Sequence, residues 1–126
     1  MKIEVSNGEI VDKYTILILK SENCVQGSDK HTNIKRELDA VSESVVSLGV
    51  DDSLVDELLD VNRQLWEIED RLRVMESEKS FSTEFITLAR LVYKTNDNRF
   101  RIKSQVNETT SSNLREEKIL PAYKGI

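Results

Sequence analysis

Apolar residues recur along most of this chain at spacings of three and four, the period of a helix with one buried side. Ile34, Leu38, Val41, Val45 and Leu48 follow one such line. Leu54, Leu58, Val61, Leu65, Ile68, Leu72 and Met75 form the cleanest one, with Val55, Leu59 and Trp66 broadening it. Near the N-terminus, Ile10, Tyr14, Leu17 and Ile18 make one face, and Val11, Ile16 and Leu19 widen it. That first helix is therefore expected to be contacted on more than one side. The opening MKIEV alternates instead and predicts a short strand or an extended arm; five residues cannot make a sheet alone.

Stop and start signals divide the pattern. Ser6 and Glu9 have capping-box spacing, which starts a helix running to about Asn23. Gln26, Gly27 and Ser28 read as a turn, and Ser28 or Asp29 caps a second helix ending near Leu48, with Gly49 as its stop. Asp51, Asp52 and Ser53 supply the next cap, for a helix of about 24 residues, roughly 36 Å long. Its seven-residue repeat favours near-parallel packing against neighbours. Ser82 caps a fourth helix, with Phe81 and Ile86 at hydrophobic-staple positions. Phe85, Leu88, Ala89 and Val92 begin its core face, with Ile86, Tyr93 and Phe100 beside it. A short helix from Leu114 to Leu120 is expected before Pro121, and Leu114, Ile119, Leu120 and Tyr123 predict that the tail docks. The expected fold is all-α: an antiparallel bundle of about four helices with a short extended N-terminal arm and a docked C-terminal tail, one helical domain over 1–126.

The composition narrows the chemistry. There is one cysteine, Cys24, and one histidine, His31. A disulfide within the chain is impossible, and a structural zinc site has too few Cys and His ligands. The two residues lie across the turn near Gly27 and read as unrelated neighbours at a helix connection. The four glycines are scattered, so no phosphate loop is present, and no cofactor is expected. The start of the chain has no apolar leader segment, and the longest apolar run, Ile16 to Leu19, is far short of a membrane span. A cytoplasmic protein is the expectation.

The net charge of −5 is unevenly spread. Glu37 to Glu78 carries 13 acidic and 3 basic residues, whereas Arg90 to Val106 carries five basic and one acidic. An acidic middle and a basic late segment can attract each other between protomers, so a homo-oligomer is expected. Nucleic-acid binding would rest on the basic stretch alone, and the negative overall charge opposes it.

The fourth helix holds the best local clue to function. Its core line runs into Asn96, Arg99 and Lys103 before Val106 restores an apolar residue. Buried polar groups are costly unless paired. This half of the helix is therefore solvated, paired with acids such as Glu69 or Asp70, or lining a site. Arg and Lys one turn apart, with Asn and Tyr donors nearby, suit phosphate or carboxylate oxygens. The candidate ligand-binding set is Arg90, Tyr93, Asn96, Arg99 and Lys103. Lys13 and Lys20 join it if the face they share with Glu9 and Ile16 turns toward this helix. Trp66 completes the set as a stacking surface; as a core filler it would need Asn62 or Glu69 to accept its indole N–H. Carboxylate pairs occur at Glu9/Asp12, Glu67/Asp70 and Glu116/Glu117, but acids are too abundant for proximity to imply a metal. No catalytic residue stands out, so an enzyme here would act by electrostatic stabilisation without a metal.

The segments EVSNGEIVDK, VNRQLWEIED, LARLVYKTNDNRFRIK and EEKILPAY together resemble a family of small uncharacterised proteins from bacteria and phages. The resemblance spans nearly the whole chain and implies a stand-alone small protein. Bacterial members are often found in surface-polysaccharide gene neighbourhoods. The first helix also resembles that of all-helical chorismate mutases, which converge Arg and Lys on a dicarboxylate. Here that helix ends in Lys20 and Glu22, and the later catalytic spacing does not recur. The leading expectation is a non-catalytic oligomeric protein binding a small anionic ligand, a nucleotide or sugar phosphate, as a phage protein sequestering a host nucleotide would. The alternatives are an interaction module linked to surface-polysaccharide synthesis and a metal-independent helical enzyme.

Overall fold

The computed structural model describes residues 1–122. Four helices occupy most of them: α1 (Asn7–Glu22), α2 (Asp29–Leu48), α3 (Asp52–Ser77) and α4 (Thr83–Thr109). The caps form largely where the sequence places them. Ser6 Oγ accepts from the Glu9 amide at 3.2 Å, Ser28 Oγ from the His31 amide at 3.1 Å, and Asp51 from the Ser53 amide at 2.9 Å. Gly49 ends α2 in the left-handed region, with φ of 63°. α4 differs. Ser82 makes no side-chain cap bond, and Phe81 and Ile86 are both exposed, so the expected staple is not made. Phe81 instead packs edge-on against Phe85, with ring centroids 5.3 Å apart.

The layering explains the two-sided first helix. α1 touches each of the other three helices, α3 pairs with α4, and α2 touches only α1. Along α1, Gly8, Val11, Asp12, Thr15 and Leu19 face the α3/α4 hairpin and are buried. Ile10, Tyr14 and Leu17 lie round the helix from this line, where α2 packs, and Ile18 stands at the edge between the two faces. The bundle is thus an α3/α4 hairpin, α1 laid across it, and α2 as an outer layer. The core cluster is Val11, Leu58, Val61, Ile102 and Val106, and it draws on Leu48, Val50, Leu54 and Val55 where α2 hands over to α3. α2 buries no residue completely, because a helix lying on one other helix leaves both flanks of its stripe open.

Close approach of α1 to α4 depends on a glycine. A Cβ on Gly8 would stand 2.5 Å from the Lys103 carbonyl oxygen and 3.0 Å from Asn107 Oδ1. With no side chain there, the Gly8 amide donates to Asn107 Oδ1 at 2.6 Å, and the Asn7 amide donates to Ser112 Oγ at 2.9 Å. Donors at the start of α1 that have no partner within the helix are thereby satisfied by the end of α4 and the loop after it.

The termini correct two expectations. Among the described residues there is no strand, and 1–5 form an exposed arm tied to the tail where Asn113 Nδ2 donates to Glu4 at 3.0 Å. The helix expected over Leu114–Leu120 does not form either. Glu116 reaches Lys103 and Lys118 lies over the Phe100 ring, and these two contacts draw the segment along α4 in irregular form. The tail docks through these polar residues, while Ile119 stays 99% exposed. Tyr123 lies outside the described residues.

The α3 stripe is not buried evenly. Leu58, Val61 and Leu65 are buried beneath α1 and α4, whereas Ile68 and Leu72, expected in the core, are half-buried. Leu65→Ala is expected to lower the unfolding free energy by about 2–5 kcal/mol, through lost transfer energy plus a cavity. Leu72→Ala should cost less than half as much, because solvent already reaches it. Urea unfolding of the two variants measures the contrast, and equal losses would contradict this layering.

Candidate functional site

The buried line of α1 carries two polar residues, Asp12 and Thr15, at the level where α4 abandons its apolar face. The Asp12 side chain is 1% exposed. Arg99 clasps it from α4: Nε donates to Oδ1 at 2.9 Å, and Nη2 donates to Oδ2. Asn62 of α3 donates to Asp12 Oδ1 and to Thr15 Oγ1, both at 2.9 Å. The Thr15 hydroxyl donates to the Asp12 carbonyl at 2.8 Å. One turn along α4, Lys103 Nζ lies 4.0 Å from Asp12 Oδ2 and donates to Glu9 at 2.8 Å and Glu116 at 3.1 Å. Among the described residues no buried side-chain nitrogen or oxygen lacks a partner.

A buried carboxylate is costly unless paired and hydrogen-bonded, and this one is both. The hydrogen bond to Asp12 raises the Arg99 pKa above its ordinary value despite partial burial. Burial pulls the Lys103 ammonium toward its neutral form, but the bonds from Glu9 and Glu116 outweigh it, and its pKa is raised too. The polar half of α4 is thus paired with acids from another helix. The acids are Asp12 and Glu9 of α1, not Glu69 or Asp70 of α3.

Beside the network lies a polar cleft of about 130 Å³, walled on α4 by Asn96, Arg99, Phe100 and Lys103, and closed by Glu9, Glu116 and Lys118. A more apolar cavity of about 370 Å³ adjoins it, lined by Val92, Tyr93, Asp97, Leu120 and Pro121. Asn96 and Lys118 line both, so the two form one trough between α4 and the tail.

The sequence-derived set is therefore partly assembled. Asn96, Arg99 and Lys103 share the polar end, and Tyr93 lies at the apolar end. Lys13 does not join them: it pairs with Glu37 of α2 at 3.0 Å. Lys20 is exposed two turns beyond Asp12, Arg90 is exposed farther up α4, and neither lines the trough. Trp66 is half-buried on α3 and does not line it either. Asn62, read as an acceptor for the Trp66 indole, gives its amide to Asp12 and Thr15 instead. Thr15 and Lys118 have no place in the sequence-derived set, and Asp12 and Asn62, read there as half of a carboxylate pair and as a partner for Trp66, stand in the network instead. A signal for Asp12 and Thr15 was present: Gly8, Asp12, Thr15 and Leu19 run at 4, 3 and 4, a core line with polar members.

A family model covers residues 1–123, and its description is a family of unknown function, DUF6165. The chain belongs to DUF6165. No curated protein matches it, and no solved structure does. The DUF6165 span takes in the whole Asp12 network and both walls of the trough. No group of three or more His, Cys, Asp or Glu that could hold a metal ion is present among the described residues. Cys24 and His31 lie by the α1–α2 connection, where Cys24 Sγ is 3.5 Å from Ser28 Oγ. The trough sets three cationic side chains, Arg99, Lys103 and Lys118, among the carboxylates of Glu9, Glu116 and Asp97. Arg99 keeps its Nη1 edge on the Asn96 side, 3.5 Å from Oδ1, and Lys103 and Lys118 flank it.

Two outcomes test this electrostatic account. Arg99→Ala strands the Asp12 carboxylate and should cost about 3–5 kcal/mol, while Asp12→Ala/Arg99→Ala should cost clearly less than the sum of the single changes. Additive losses in urea unfolding would mean the pair is not coupled. Because the Lys103 pKa is raised in the folded chain, its contribution is whole below the ordinary value of 10.5 and is lost as pH climbs through the higher folded value. Thermal melts at rising alkaline pH should therefore fall less steeply for Lys103→Gln than for the parent chain.

Proposed function

We propose that this chain is a non-catalytic protein that binds a small anionic ligand, a nucleotide or a sugar phosphate, in the trough between α4 and the tail. One observation carries the reading. Glu116 sets a carboxylate oxygen 3.1 Å from Lys103, so the polar end accommodates an anionic oxygen beside Arg99 and Lys118. The Glu116 side chain is 36% exposed and belongs to the tail, so an incoming phosphate can take its place. The adjoining cavity, with Val92, Tyr93 and Leu120, suits the less polar body of such a ligand. Among the described residues no helix is long and apolar enough to cross a membrane. The reading is of a cytoplasmic homo-oligomer from a bacterium or a phage, and sequestration of a host nucleotide fits a binding site without reactive groups.

A second reading, an interaction module of the kind linked to surface-polysaccharide synthesis, is favoured by the outer end of the α3/α4 hairpin. Val74, Phe81 and Ile86 stand 44%, 56% and 57% exposed there.

Mass spectrometry of small molecules released by heating the purified protein tests the first reading, followed by calorimetric titration with inorganic phosphate and nucleoside phosphates. Lys118→Ala is expected to weaken binding about tenfold, the equivalent of one charge-assisted hydrogen bond. The melting temperature should fall only slightly, because Lys118 is exposed and what it loses is one cation–π contact with Phe100. Glu116→Gln should tighten binding by removing the competing carboxylate. No binding by any of these anions at millimolar concentration would refute the reading.

A further inference from the structure

The groove that α1 occupies does not stop where α1 does. On α3 the groove wall at the network is Asn62, and on α4 it is Arg99 and Lys103. Helical faces repeat every seven residues with little drift. Seven and fourteen residues beyond Asn62 stand Glu69 and Glu76, and fourteen residues before Arg99 and Lys103 stand Phe85 and Ala89. Those four residues, with Leu72 and Arg73, line an open depression of about 350 Å³ on the outer half of the hairpin. The same pair of helix faces therefore continues as an uncovered groove with an apolar floor and a rim of two carboxylates and one guanidinium. The other side of the hairpin is closed by the Arg71–Glu84 ion pair at 3.1 Å.

The wall of this groove is its own complement. Ile86 and Arg90 each follow a groove residue, Phe85 and Ala89, and both are exposed. Arg90 has no ion pair among the described residues, and Ile86 is 57% exposed. An apolar and cationic ridge thus stands next to an apolar and net acidic groove on one face of one hairpin. A twofold axis through such a face seats each ridge in the other groove, the condition for an isologous contact.

We propose that a second copy of this chain covers the groove, the two α3/α4 hairpins pairing through their outer halves with Arg90 of each copy at the Glu69 and Glu76 rim of the other. The inference rests on the homo-oligomer part of the proposed function and gives it a surface; it does not need the trough.

Sedimentation of the full chain from micromolar to millimolar concentration at low salt tests it. A concentration-dependent dimer that weakens with added salt is expected. Arg90→Glu should weaken dimerisation about tenfold or more, as should Glu69→Lys combined with Glu76→Lys, since like charges then face each other across the contact. All three changes together should restore it. The substituted residues are exposed, so circular dichroism should show every variant as helical as the parent. A monomer at every concentration would overturn both this surface and the oligomer reading. A dimer indifferent to the charge reversals would overturn the surface and leave the oligomer reading standing.

Discussion

A carboxylate buried between α1 and the α3/α4 hairpin sets the terms for the rest of this structure. Asp12 could not sit there unpaired, because its desolvation would cost several kcal/mol. It therefore fixes what must surround it: a guanidinium from α4 and an amide from α3. Three helices are locked in rotation and register by one side chain. Apolar contacts along α3 alone would specify this register less sharply, since its apolar positions repeat every seven residues from Leu54 to Met75. A bidentate Arg–carboxylate pair does not tolerate a shift by a turn.

The glycine at the start of α1 serves the same end. Only without a Cβ can that end of α1 come close enough to α4 for Asp12 to meet Arg99 and for Glu9 to reach Lys103. Glu9 is thus diverted from the capping box. Ser6 caps its amide as the sequence predicts, but the Glu9 carboxylate turns to Lys103 rather than back to the Ser6 backbone. A charged pair across helices has replaced a local bond within one.

Where the sequence was legible, one local rule was at work. The spacing of Leu54 through Met75, the caps at Ser6, Ser28 and Asp51, and the stop at Gly49 each follow from neighbours along the chain, and each is in the structure. The break in the α4 stripe was also legible, and it does mark the polar centre of the molecule. Its partners were not, because Asp12 and Arg99 are 87 residues apart and nothing local to either names the other. Glu69 and Asp70 were plausible acids for Arg99 from the sequence, but they lie beyond the level of Asn62, where α1 supplies the nearer carboxylate. The tail misled for a related reason. Leu114 to Leu120 has the composition of a short helix, yet contacts from Glu116 and Lys118 to α4 outweigh a propensity worth a few tenths of a kcal/mol per residue.

The same residues bear on stability and on the trough, and the tail connects the two roles. After α4, Ser111 takes a left-handed turn with φ of 53°, and the buried Ser112 accepts from the Asn7 amide while donating to the Leu114 carbonyl. The chain thereby reverses against the first turn of α1 before it runs back along α4. Glu116 and Lys118 reach the trough only because that reversal holds. The trough is therefore not a gap between independent parts. Its floor is set by the Asp12–Arg99 pair and its closing wall by the cap at the start of α1, two features that share the approach permitted by Gly8. Any change that moves the first turn of α1 must move the wall and the floor together.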